Sequence, residues 1–168
     1  MVKLFKKQKD GGSESNVEGY FLIEWKGVFS IALLKFNKGA RVAYHTHAFN
    51  AYTWFLFGDM KEERLYFLRS KLNDKNNINL HGVETKKYKF SLFPKYTSKI
   101  NLHRVVVNKT SWCFTIRGKW DETWFEVDKK SEEEISGNND YNAYSEMRTY
   151  THGRVVKKKS KAFWKFRS

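Results

Sequence analysis

The sequence predicts an all-β fold, an antiparallel sandwich or small barrel in which helix is a minor component. Three observations carry this. Aromatic residues make up 17% of the 168 residues and proline occurs once, a composition that favours strands over helices. About ten short segments of strand length recur at regular spacing, separated by turn-forming residues. No long segment repeats its apolar residues at the 3.6-residue period of a helix face. A chain of this length suggests one domain with a single substantial core.

Taken in order, residues 1–9 are a basic lead, MVKLFKKQK, and residues 10–16, DGGSESN, read as a flexible connector. A flexible basic segment over 1–16 is therefore expected ahead of a domain spanning 17–151. Residues 20–24 read as a short strand. Residues 28–36, VFSIALLKF, are apolar enough to predict a strand buried on both faces. Asn37, Lys38 and Gly39 turn the chain into strands over 41–47 and 51–57. Gly58-Asp59 predicts a hairpin corner leading to a strand over 61–69. Residues 71–82 are polar and Asn-rich, a loop. Residues 83–93 alternate, with Tyr88, Phe90 and Leu92 toward the core, until Pro94 ends the strand. Strands follow over 102–107, 111–117 and 123–127, with a turn at 118–121. Residues 129–142 read as a mobile loop. A last hairpin, over 144–150 and 154–157, turns at His152-Gly153. Residues 152–168 form a basic aromatic tail.

The net charge of +14 is concentrated at the ends. Residues 1–9 hold four lysines and residues 152–168 seven lysines or arginines, with no acid in either stretch. Such ends attract polyanions by counterion release, so nucleic acid is a candidate partner through Lys157, Lys158, Lys159, Lys161, Lys165 and Arg167. The interleaved aromatics Phe163, Trp164 and Phe166 could stack on bases or dock on the domain as a final element. Cys113 is the one cysteine, which excludes an internal disulfide and points to a reducing compartment. The basic start precedes no apolar run, and no stretch reaches the ~18 apolar residues of a membrane span. A cytoplasmic protein without membrane contact is expected. No dinucleotide-binding, phosphate-loop, nucleophile-elbow or paired-cysteine motif is present.

The chemistry concentrates in residues 39–58, GARVAYHTHAFNAYTWFLFG. On a strand, His45 and His47 would share a face about 7 Å apart and could close on one ion. Gly39 and Gly58 could turn the chain at either end. The spacing Gly39, five residues, His45-x-His47 and later Gly58 resembles the first motif of the cupin superfamily. That motif's Glu position is Ala51 here, a departure. Pro94, His103 and Asn108 resemble the second motif, with a longer turn between Pro and His. The segments His103-Arg104-Val105, Trp112, Arg117-Gly118 and Trp124-Phe125 are similar to those of small cupins from bacteria and tailed phages.

The resemblance, which covers roughly residues 28–127, implies a double-stranded β-helix (jelly-roll) barrel with His45, His47 and His103 holding a metal. Neutral imidazoles suit Fe(II), Zn, Cu, Ni or Mn. Ala51 leaves two readings open: a three-His centre of the kind used by some cupin-like thiol dioxygenases, or a barrel that binds its ligand without metal. Asn50, beside the vacant position, is a poor ligand by comparison. Tyr52, Trp54 and Leu56 share one strand face and are candidates to line a pocket, as are Trp112, Phe114 and Ile116. Arg41, which would share its strand face with His45, and Arg117 are candidates to receive a small anionic substrate. The implied activity is a non-haem metal-dependent oxygenase acting on such a substrate. The alternative is a non-catalytic module that captures a nucleotide or small anion, or docks on nucleic acid through its basic ends. Homodimers are common among cupins, so a homodimer is a further expectation.

Overall fold

The computed structural model describes residues 1–11, 15–39, 44–69, 78–121, 123–127, 146–151 and 154–161; side chains at 66–69, 78–82, 123, 125–127 and 146–161 are outside the description. Ten strands and no helix occur among these residues: β1 (Lys3–Lys9), β2 (Val17–Trp25), β3 (Phe29–Phe36), β4 (Ala51–Arg69), β5 (Ile78–Tyr88), β6 (Lys95–Thr97), β7 (His103–Arg117), β8 (Thr123–Val127), β9 (Glu146–Thr151) and β10 (Arg154–Lys161). All pair antiparallel. One seven-stranded sheet runs β1-β2-β3-β7-β4-β5 with β6 also on β4, and a second runs β10-β9-β8. The expected all-β architecture is the observed one. The sheets wrap a cavity of about 290 Å³ whose wall takes residues from β1 through β8. The adjoining core is Val17, Phe21, Ala32, Leu34, Phe36, Phe55, Met60, Val107 and Cys113.

Several elements differ from the sequence expectation, each for a physical reason. Residues 3–9 are a strand rather than a flexible lead, because their backbone groups pair with Glu18–Glu24 of β2. β3 buries one face only, its residues alternating between half-buried and buried. Residues 51–69 form a single long strand, and Gly58-Asp59 is no hairpin corner. Gly58 instead sits at a bulge with φ +122°, where the register to β7 slips. A Cβ on Gly58 would lie 2.2 Å from Ser111 Oγ, and that hydroxyl accepts the Asp59 N–H at 3.0 Å. The strands expected over 102–107 and 111–117 are likewise one, β7, because β4 pairs with both halves. β5 starts at Ile78, inside the expected loop, and ends at Tyr88. Phe90 and Leu92 are exposed rather than in the core. The final hairpin forms as expected, with β10 continuing to Lys161. Residues 129–142 lie outside the described residues.

Candidate metal centre

The segment carrying His45 and His47 is not a regular strand. It is held by three backbone contacts instead. Gly39, at φ +75°, donates its N–H to Val107 O at 3.1 Å. His45 and His103 exchange both backbone hydrogen bonds, at 2.8 and 3.1 Å, and His47 N–H reaches Lys99 O at 3.1 Å. The reciprocal bridge fixes two candidate ligands against each other across 58 residues of sequence.

The three imidazoles converge on the cavity. One ring nitrogen from each of His45, His47 and His103 lies within 4.8 Å of the others, and ring centroids are 4.8–5.0 Å apart. His45 and His103 are buried and His47 half-buried. His47 Nε2 and His103 Nε2 are 2.7 Å apart. Two lone pairs cannot face each other at that distance, so the pair must share a proton or a cation. Ligand nitrogens about 2.1 Å from a tetrahedral ion lie roughly 3.4 Å apart, so a small opening of these rings would admit one. Three imidazoles in a mostly apolar wall therefore fit a divalent transition metal.

Behind His103 stands Glu62, which the sequence reading did not single out. Its Oε1 contacts His103 Nδ1, and its Oε2 contacts Lys95 Nζ. The Tyr88 hydroxyl donates to it at 3.1 Å and Arg64 Nε at 3.2 Å. Burial favours the neutral acid, but the hydrogen bond with His103 and the hydrogen bond and charge of Lys95 outweigh it and hold the Glu62 carboxyl far below the ordinary range. Burial pushes His103 below the usual imidazole value despite the opposing pull of Glu62, which favours the neutral ring. A neutral His103 that donates Nδ1–H to Glu62 presents its Nε2 lone pair to the cavity, the tautomer a metal needs. Lys95 is lowered to about 8, because burial outweighs the pull of Glu62.

The other candidates are placed as follows. Arg117 is buried in the cavity wall, and Nη1 and Nη2 donate to Asp10 at 2.9 and 2.7 Å. Its guanidinium lies over Phe49, 4.6 Å from the ring centroid, and its buried Nε has no hydrogen-bond partner. Tyr52 and Trp54 face away from the cavity; Ala51, Thr53 and Phe55 line it instead. The same inversion holds on β7, where Cys113, Thr115 and Arg117 face in and Trp112, Phe114 and Ile116 face out. A strand's two faces alternate, so misjudging which parity faces inward inverts the whole row. Asn50 is exposed and occupied in the loop, accepting from Lys99 N–H at 2.9 Å through its side chain and from Gly118 N–H through its carbonyl. Arg41, Lys165 and Arg167 lie outside the described residues, as do the side chains of Lys157, Lys158, Lys159 and Lys161. No helix among the described residues is long and apolar enough to cross a membrane.

No family model matches the chain, and no curated protein does. Solved structures similar to it include an RmlC-like cupin from Shewanella frigidimarina, 12% identical over 68% of this chain and 83% of that one, with a TM-score of 0.44. KdgF from Halomonas sp. is 12% identical over 70% of this chain and 95% of its own, with a TM-score of 0.46. Oxalate decarboxylase from Bacillus subtilis is 9% identical over 71% of this chain, which spans 29% of that chain, with a TM-score of 0.47. The first of these is itself named a cupin, the superfamily that the spacing of Gly39, His45, His47 and Gly58 resembles.

Proposed function

We propose that this cupin-like chain binds a divalent transition metal through His45, His47 and His103 and acts as a non-haem metal-dependent oxygenase on a small anionic substrate. The observation that carries the reading is the convergence of three imidazoles in one cavity, with Glu62 on Nδ1 of His103. A bound metal would supply Lewis acidity and, as Fe(II), activation of dioxygen. The chain's own part is orientation and exclusion of water. Glu62 holds the His103 tautomer, while the rings of Trp124 and Phe49 lie 6.5 and 5.4 Å from those of His45 and His47 and keep that end of the cavity apolar. Arg117 brings a cationic group into the same cavity wall, which favours an anionic ligand.

Metal analysis of the purified chain tests the proposal. About one ion per chain is expected, lost in His47→Ala, with oxygen uptake by the Fe(II)-loaded protein on addition of small carboxylates. A metal-free protein that fails to take up Fe(II), Zn, Ni or Mn would overturn it. A second reading is favoured by Ala51, which stands where the resembled motif has an acidic ligand. It is a module that captures small anions without metal, its basic ends docking on nucleic acid. Binding to polyanions that collapses with salt, in a protein without metal, would establish that reading instead.

A further inference from the structure

A strip of rings leads away from the imidazoles along the cavity wall. The ring of His47 lies 5.4 Å from that of Phe49, and Phe49 lies 4.9 Å from Trp120. Trp124 and the small residues Ala48 and Ala51 pack with Phe49. Trp120 donates its indole N–H to Ser30 Oγ at 3.3 Å, so that group is already used. On Trp120 stands Lys26, in the turn between β2 and β3, with Nζ 4.2 Å from the ring centroid. The backbone builds this place: Trp120 N–H donates to Lys26 O at 2.9 Å and ties the turn to the segment after β7. Among the described residues, Lys9, Lys26, Lys95 and Arg117 are the lysines and arginines that line the cavity. Arg117 donates to Asp10, Lys95 contacts Glu62, and Lys9 is exposed on β1. Lys26 is half-buried and contacts no carboxylate among the described residues. An ammonium carries three N–H donors, and a ring beneath it leaves those on the far side to a ligand.

We propose that Lys26 receives the carboxylate of the substrate, and that the substrate is an arylalkyl monocarboxylate lying along Trp120 and Phe49 with its remote end toward the imidazoles. The inference rests on the reading that this cavity takes a small anionic substrate, and adds its class and its orientation. Charge sets the number of acidic groups. One ammonium without a carboxylate partner matches one carboxylate, whereas a polyanion would bring surplus charge past Asp10 and Glu62 in the same wall. Ring contact sets the body. A flat apolar group against Phe49 and Trp120 gains burial and edge or offset contacts, of which an aliphatic acid gains only the first. Volume sets the length. About 290 Å³ is near the lower limit of small-molecule pockets, so the cavity suits one ring and a short chain rather than a nucleotide. Orientation follows from the order of contacts, because Lys26 sits on Trp120 and His47 on Phe49. The carboxylate is thereby kept off the imidazoles, and the far end of the molecule is what they meet.

Calorimetric titration of the full chain with 3-phenylpropanoate, 3-phenylpropanamide and butanoate tests the proposal. The wild type is expected to bind the aryl acid about tenfold more tightly than the amide, which lacks the charge. A similar margin of about tenfold is expected over butanoate, which lacks the ring. Lys26→Met keeps a side chain on Trp120 and should lose the preference for acid over amide, with amide affinity and metal content unchanged. A wild type that does not distinguish acid from amide overturns the proposal, whether or not the variant folds. So does a preference that survives in Lys26→Met, which would place the carboxylate elsewhere, and so does butanoate binding as tightly as the aryl acid. Metal content of the same samples separates this inference from the oxygenase reading. A chain that holds metal and lacks the preference overturns the substrate class alone. A metal-free chain that shows the preference, and loses it in Lys26→Met, upholds the class and overturns the oxygenase.

Discussion

Glu62 is the residue on which the candidate centre turns. It is a carboxylate 2% exposed, in contact with an imidazole, an ammonium, a phenol and a guanidinium at once. Replacing it with Gln would keep the shape, remove the charge that holds the His103 tautomer, and leave the half-buried Lys95 without its counter-ion. Metal affinity in Glu62→Gln should fall by about 10–100-fold, read by titration with a competing chelator. In metal-free buffer the same variant should lose about 3–5 kcal/mol of unfolding free energy near neutral pH, read from denaturant midpoints. The sign with pH follows from the depressed acidity. Glu62 stabilises the folded chain fully above its ordinary value of 4.5, and that contribution disappears as pH falls below it. Wild type and variant should therefore converge in strong acid; a constant gap would show that the charge is not what matters. The acid missing at Ala51 is thus answered by one that supports a ligand from behind. The sequence resemblance could name three histidines by spacing, but nothing in it ties a charged strand residue to a ring 41 positions later.

Glu62 is placed by the run of register slips between Phe55 and Met60, around Gly58. Before it the inward residues of β4 are odd-numbered, Ala51, Thr53 and Phe55; after it they are even-numbered, Met60 and Glu62. Without that change of parity Glu62 would face water. Reading 61–69 as a separate strand after a corner hides this, because nothing local then ties its inward parity to that of 51–57. Gly58 itself is legible in the sequence as a residue that can turn the chain. What it does is set by the Ser111 side chain, whose contact across β7 a local reading of β4 does not contain. Gly58→Ala meets both a positive φ and Ser111, and should lower stability by about 1–3 kcal/mol and weaken metal binding. Adding Ser111→Gly should recover part of the stability by removing the clash, while the φ penalty stays. Urea titration of both variants decides it; full recovery would mean that the backbone at 58 is unstrained.

Across the whole molecule, the all-β antiparallel class was legible in the sequence, and motif spacing picked out the three histidines that the fold brings together, because apolar alternation and motif spacing are local signals. Which face of each strand turns inward was not, since apolar residues occupy both faces of β3, β4 and β7. The join between Asp10 and Arg117 was also hidden: it spans 107 residues and fastens the β1–β2 hairpin to the end of β7 at the cavity wall. Asp10→Ala should destabilise the chain by about 3 kcal/mol by stranding a buried guanidinium, and Arg117→Met should be milder. In the double variant the losses should fall well short of additive, which thermal and urea unfolding of all four proteins would measure. Additive losses would mean that the two groups do not act as a pair.

The basic start of the chain has a use that requires no polyanion. Among the described residues β1 is the last strand on its side of the sheet, and four of its seven residues are lysines. An open strand border is a template on which stray chains can grow into aggregates, and lysines there repel an incoming copy before hydrogen bonds form. A protein this rich in exposed rings would be at risk of open-ended stacking, and this border is electrostatically guarded against it. Substituting the exposed Lys3 and Lys9 by valine would remove part of that guard, and turbidity on concentration would be the symptom.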